Sequence, residues 1–287
     1  MNVSGFTFVR NGVKFDYPFI ESISSLLPLC DEVIVAVGNS EDDTLERLTS
    51  LNEPKIRIIK TIWDDSLRSG GAVLAQQTDI ALHEIRGDWG IYLQADEVLH
   101  EADYPTIRTT LKEHLPNQRI EGFVLDYLHF YGRYNLVGAS RRWYRREVRI
   151  VRPGIGIHSW GDAQGFRRNG QKVRARHLPA NVYHYGWVKP PEIQQAKQLQ
   201  FNKFWHDDTW IERHVQPTAE FDYSRGGRLK AFNGEHPAVM SERMRRMNWS
   251  YTYDPQRVQR PLREKMLDTI EDWTGWRIGE YKNYKLI

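Results

Sequence analysis

Along the first third of the chain, near-continuous apolar runs alternate with longer stretches in which apolar residues return at helical spacing. The runs at 3–9, 32–37, 55–60 and 89–94 predict strands, and the stretches at 16–27, 40–51 and 72–85 predict helices between them. Ser40, Glu41, Asp42 and Asp43 open the second helix with side chains that helix N-termini favour. This alternation predicts an α/β fold with a mainly parallel central sheet and flanking helices.

Beyond Glu97 the rhythm is mixed. A helix is predicted over 104–115, then strands over 122–131, 148–152 and 182–185, separated by glycine-rich turns. Pro190 and Pro191 mark a change, and helices are predicted over 192–206, 237–247 and 261–274. The expected organisation is one catalytic domain over 1–190 and a C-terminal helical extension over 191–287, packed on it and facing an acceptor. No internal repeat or low-complexity linker interrupts this plan.

Composition adds limits. A chain of 287 residues with 40% hydrophobic content can bury a sizeable core. Its one cysteine, Cys30, lies in an apolar run and reads as a small buried hydrophobe. No apolar run approaches the roughly 18 residues of a membrane span, and the N-terminus lacks a secretory plan. A cytoplasmic location is the expectation, with peripheral membrane contact through Arg243, Arg245 and Arg246 left open.

Charge is uneven. Between Arg133 and Arg176 stand 12 Lys or Arg against only Glu147 and Asp162, in a chain whose net charge is +3. Such a basic belt suits phosphates or an anionic surface. Nucleic acid is the weaker partner, because no helix-turn-helix, zinc-finger or RNP pattern accompanies the belt.

The candidate chemistry lies in GDWGIYLQADEVLH, residues 87–100, where an apolar run ends in Asp96 and Glu97. Carboxylates at the end of a buried strand usually meet a cation or a reacting group. This segment resembles the strand and acidic turn of GT-A type glycosyltransferases, particularly the family 2 group. FTFVRNG, DEVIVAVGNSEDDT, RSGGAVLAQQTDIALHEIRGDW and NVYHYGWVKPPE resemble further segments of that family, in the family's order, across roughly residues 1–190.

The resemblance implies a GT-A-like, Rossmann-like domain that moves a sugar from a nucleoside diphosphate sugar to a hydroxyl of a saccharide or glycan acceptor, with inversion. A lipid-linked form of that acceptor is left open. The resemblance also implies a divalent metal, Mn²⁺ or Mg²⁺, held by Asp96 and His184 in a DxD-like turn. Gln94 replaces the first acid of that turn, and Val37 replaces the family's base-contacting acid. Asn11 is expected near the nucleoside, Arg68 on phosphate, and Gln94 beside the donor. Asp162, in the glycine-flanked GIHSWGDAQGF, is expected to be the base that deprotonates the acceptor. Glu97 is expected either to meet the acceptor or to brace the loop. His158 and Trp160 are expected around the acceptor, with Trp160, Tyr185 and Trp187 as a sugar platform or as core. The alternatives are a non-catalytic nucleotide or glycan-binding protein of the same fold and a sugar nucleotidyltransferase.

Overall fold

The computed structural model describes residues 1–215, 218–258 and 261–287. Its first half runs β1 (Val3–Val9), α1 (Phe19–Leu26), β2 (Glu32–Val37), α2 (Thr44–Thr49), β3 (Ile56–Lys60), α3 (Ala72–Glu84), β4 (Trp89–Tyr92), β5 (Glu97–Leu99) and α4 (Tyr104–His114). Then come β6 (Gly122–Tyr131), β7 (Arg133–Gly138), β8 (Arg146–Val151), β9 (Ile157–Trp160), β10 (Gly165–Arg168), β11 (Gln171–Lys172) and β12 (Arg174–Trp187). The remainder holds α5 (Pro191–Asn202), α6 (Asp208–His214), β13 (Leu229–Ala231), α7 (Ser241–Arg245), α8 (Leu262–Thr274) and β14 (Lys285–Leu286).

The chain is α/β, as its rhythm predicts. Strands β3, β2, β1 and β4 form the parallel heart of the main sheet, and β8, β6, β7 and β13 continue it in antiparallel pairs. β12 lies parallel to β6 and antiparallel to β5, so it carries the acidic turn's neighbours. A small sheet of β9, β10 and β11 stands apart.

Alternation within strands explains the layers. Val33, Val35 and Val37 of β2 join one core with Ile23, Leu26, Leu48 and Ile107 from α1, α2 and α4. Ile34 and Ala36 face the other way and join Val73, Leu74, Ala81 and Leu82 of α3. Because both faces are covered, β2 reads as an unbroken apolar run. The connection from β1 to β3 uses one face and the return from β3 to β4 the other, so the order reverses between β1 and β4. A crevice at the carboxyl ends of strands forms where such a reversal occurs.

Several expected boundaries move: the helix expected over 40–51 shortens to Thr44–Thr49, the strand expected over 182–185 lengthens to Arg174–Trp187, and the helix expected over 237–247 shortens to Ser241–Arg245. The helix expected over 16–27 starts at Phe19, because Asn11 and Asp16 take left-handed backbone angles (φ 55° and 47°) in a turn closed by Phe15 N–H donating to the Asn11 carbonyl at 3.1 Å. The basic belt is spent largely inside the molecule. Arg141 and Arg145 meet Glu271 and Glu280, Arg146 meets Asp126, Arg149 meets Glu97, and Arg168 and Arg174 both meet Glu121. Arg243, from the basic patch of the C-terminal part, is likewise taken by Asp16 and Glu21.

Candidate functional site

The crevice is a pocket. Its walls come from the end of β1 (Phe8, Arg10, Asn11), the acidic turn (Gln94, Asp96), the loop after β9 (Asp162, Gln164) and the helix α5 (Lys197, Phe201) with Phe204 just beyond it. Asn11, Gln94, Asp96 and Asp162, four residues singled out in the sequence, therefore share one cavity.

Asn11 works as a clasp. Its amide oxygen accepts from Glu41 N–H at 2.8 Å, and its own N–H donates to Ser40 Oγ at 3.0 Å. Gly12 N–H reaches Thr44 Oγ1 at 2.8 Å, and Lys14 N–H reaches Asp42 at 2.6 Å. Ser40, Asp42 and Thr44 thus tie the loop after β2 to the turn after β1. The left-handed angle at position 11 suits an asparagine.

Asp96 is nearly buried, and its carboxylate meets the Lys197 ammonium at 3.2 Å and His184 Nε2 at 3.8 Å. Burial presses the carboxyl upward, but Lys197, His184 once it is protonated in acid, and Lys189 together outweigh it and hold the carboxyl down at about 2. Burial lowers His184, and Asp96 only partly opposes this. Its other nitrogen, Nδ1, lies 3.1 Å from His129 Nδ1, and His129 Nε2 lies 2.8 Å from the Tyr144 carbonyl. A carbonyl can only accept, so neutral His129 donates from Nε2 and accepts at Nδ1. His184 must then donate from Nδ1, which leaves a lone pair on Nε2 beside Asp96.

A notch lies against this pair. A methyl group on Gly186 would stand 2.6 Å from Asp96 Oδ2 and 2.7 Å from His184 Nε2. An unprotonated imidazole nitrogen and a carboxylate oxygen, with the glycine leaving both open, make a donor set that suits Mn²⁺ or another borderline divalent cation.

Glu97 has the opposite surroundings. It is fully buried, Arg149 clamps both its oxygens at 2.8 Å, Tyr127 OH donates at 2.8 Å and Gln94 N–H at 3.0 Å. Its position corresponds to the bracing alternative; no lone pair is left for an acceptor. Arg68 is held outside the pocket, donating to Asp208 at 2.8 Å and to the Lys203 carbonyl at 3.0 Å. His158 and Trp160 sit on β9 away from the pocket wall, with half-exposed Trp160 under Arg167 at 5.1 Å. Tyr185 stacks on Phe130 at 4.8 Å, and Trp187 packs among Tyr131, Trp143 and Phe221. Both belong to the core rather than to an exposed platform.

Asp162 lines the pocket, and burial raises its carboxyl above the usual range. Glu147, on β8, is also raised by burial, to about 7, despite Arg149; it faces Gln164 at 3.1 Å in a neighbouring cavity. The sequence reading missed Lys197, His129, Gly186 and the aromatic wall of Trp63, Phe201 and Phe204. One signal was present: Lys197, Gln200, Phe201 and Phe204 are spaced as one helix face.

Neither a family model nor a curated protein matches the chain. Among solved structures it is similar to Staphylococcus aureus TarS 1-349 in complex with UDP, at 14% identity over 69% of this chain and 64% of that one, with TM-score 0.41. It is similar to glucosyl-3-phosphoglycerate synthase from Mycobacterium tuberculosis in complex with Mg²⁺ and UDP, at 20% identity over 45% and 43%, TM-score 0.28. A mannosyltransferase from Pyrobaculum calidifontis in complex with GDP-Man and Mn²⁺ gives 16% identity over 45% and 36%, TM-score 0.32. All three likenesses lie below 25% identity and below a TM-score of 0.5, and none assigns a role to this chain. The chain spans less than two thirds of the length of each. Among the described residues no helix is long and apolar enough to cross a membrane.

Proposed function

We propose that the protein transfers a sugar from a nucleoside diphosphate donor to a hydroxyl of a saccharide or glycan acceptor, with inversion at the anomeric carbon. One observation carries this reading: a single pocket at the strand-order reversal joins an aromatic cluster to a charged one. Phe8, Trp63 and Phe204 supply the first, with ring centroids 5.8 Å apart for Phe8 and Trp63 and 5.5 Å apart for Trp63 and Phe204. Asp96, Lys197 and Asp162 supply the second. A nucleoside stacks on aromatic faces, and the diphosphate and sugar need the charged groups.

The residues then take distinct roles. The indole N–H of Trp63 is buried against Gly38, so its ring rather than its N–H is what the pocket offers a base. Asp162, raised by burial, is the proposed general base for the acceptor hydroxyl, since a higher carboxyl pKa makes a stronger proton acceptor near neutrality. Asp96 and His184 are the residues that would hold a divalent cation. Among the described residues no three His, Cys, Asp or Glu side chains cluster for a metal, so substrate oxygens and water would complete its ligands. Such an ion, when bound, offsets the charge that grows on a diphosphate leaving group. The C-terminal segment from 191 onward is proposed to complete the donor pocket through α5 and to face the acceptor.

Thermal stabilisation by UDP, GDP, dTDP and CMP, each with and without Mn²⁺, tests the reading on the native chain and on Asp96→Ala. Selective stabilisation that the variant loses supports it. If no nucleotide stabilises the native chain, the donor assignment is abandoned. Asp162→Asn should keep nucleotide stabilisation and lose acceptor-dependent consumption of the sugar donor, seen by following release of the nucleoside diphosphate.

A further inference from the structure

The charge count of the pocket is unusual for a site that must receive a diphosphate. Its acidic turn offers one pocket-facing carboxylate, because Gln94 takes the place where a second acid would stand and Glu97 is locked to Arg149. Among the described residues two cationic side chains line the same wall, Arg10 and Lys197. Arg10 is engaged with Asp65 at 2.7 Å beside the Trp63 ring. Lys197 is the one that faces Asp96.

We propose that Lys197 is the phosphate-binding cation of this pocket, its ammonium shared between Asp96 and the diphosphate of the donor. The inference rests on the donor reading above. Three observations carry it. Lys197 comes from α5, whose Gln200 and Phe201 line the same pocket one turn further on, so the helix presents this face to the ligand space. Its ammonium has three N–H groups, of which the Gly186 carbonyl takes one at 2.9 Å and Asp96 another at 3.2 Å. The Asp96 contact is longer than the roughly 2.7–2.9 Å of a tight charge-assisted bond, so it is the contact a phosphate oxygen can replace or share.

The neighbouring Lys189 sets the contrast. It is fully buried, donates to the Phe15 carbonyl at 2.7 Å and does not line the pocket. That lysine fastens the fold. Lys197, eight positions further along, has its charge on the pocket wall. Both ammonium groups lie over the Tyr17 ring, at 4.4 and 4.8 Å, so one aromatic ring holds the two cations near the acid without adding a second negative charge.

The test is calorimetric titration of the full chain, in the presence of a metal chelator, with inorganic pyrophosphate, with UDP or GDP, and with the matching nucleoside. Lys197→Met should weaken pyrophosphate and nucleoside diphosphate binding about tenfold or more, while nucleoside binding holds and Lys197→Arg recovers most of the loss. Lys197→Gln serves as the neutral variant if the methionine chain fails to fold. Wild-type affinity for pyrophosphate and nucleoside diphosphate in the neutral variant overturns the inference and leaves the donor reading standing. Pyrophosphate binding that depends on Lys197, in a protein that binds no nucleoside diphosphate either in chelator or with Mn²⁺, overturns the donor reading. If the native chain binds neither pyrophosphate nor nucleoside diphosphate, in chelator and with Mn²⁺ alike, both are overturned.

Discussion

Asp96 and Glu97 are neighbours in the chain, and they occupy two different chemical worlds. Glu97 is sealed in the core with four hydrogen bonds from Arg149, Tyr127 and Gln94, and every oxygen lone pair it can use is directed at protein. Asp96 sits on a pocket wall with one long contact to a lysine and a histidine nitrogen further off. The turn between β4 and β5 sends the two side chains to opposite surroundings, one sealed in the core and one on a pocket wall. The lesson is that number and length of contacts, rather than charge, separate a brace from a site. A saturated ion pair is hard to exchange; a long, under-coordinated one is ready to.

The comparison breaks most visibly if Glu97 is touched. Glu97→Gln leaves Arg149 buried without its counter-charge and should cost about 3–5 kcal/mol of stability, read by urea denaturation. A loss below about 1 kcal/mol would mean that the clamp is dispensable.

Asp96 should have a smaller effect with a pH signature. Its carboxyl lies at about 2 in the folded protein, against 3.8 for an ordinary aspartate. A depressed carboxyl stabilises the fold above the unfolded value and loses that contribution as pH falls through the folded one. The window therefore runs from about pH 4 down to about pH 2, and the contribution is roughly 2 kcal/mol. Asp96→Asn should flatten the stability curve in that window; an unchanged slope would remove Lys197 and His184 as its effective partners.

Gly186→Ala sharpens the contrast further, because it fills the notch against Asp96 and His184 and leaves Glu97 alone. Mn²⁺-dependent stabilisation by nucleotide should vanish while the melting temperature without ligand changes by only a few degrees. The smallest effect is expected at Arg68, whose ion pair is exposed and outside the pocket. Arg68→Ala should leave nucleotide affinity unchanged; a clear loss would bring that residue back to the phosphate.

The sequence made one half of this division readable. β1 and β2 stand where their apolar runs predict, and α3 ends within a residue of its expected boundary, because each buries a local pattern. The short strands β10 and β11 carry Gly, Arg, Gln and Lys with little alternation, so no period marked them. The acidic turn was legible as a place where charge ends a buried run. Its partners were not: Arg149 lies 52 residues from Glu97, and Lys197 lies 101 from Asp96. Only the pairing of β12 with β5 and β6, and the docking of α5, bring these groups together. The basic belt misled for the same reason, since Glu271 and Glu280, which neutralise Arg141 and Arg145, come from the far end of the chain.

That separation of 101 residues has a consequence during synthesis. At about 5–20 residues per second, Asp96 leaves the ribosome roughly 5–20 seconds before Lys197 does. The nascent sheet can pair β1 with β2 and β4 in that interval, yet one wall of its crevice is still unmade. Fastening comes when Lys189 reaches the Phe15 carbonyl and Gly71 N–H meets the Phe204 carbonyl at 3.1 Å. The pocket is thus incomplete until α5 arrives, and its completion becomes a report that translation has passed residue 204.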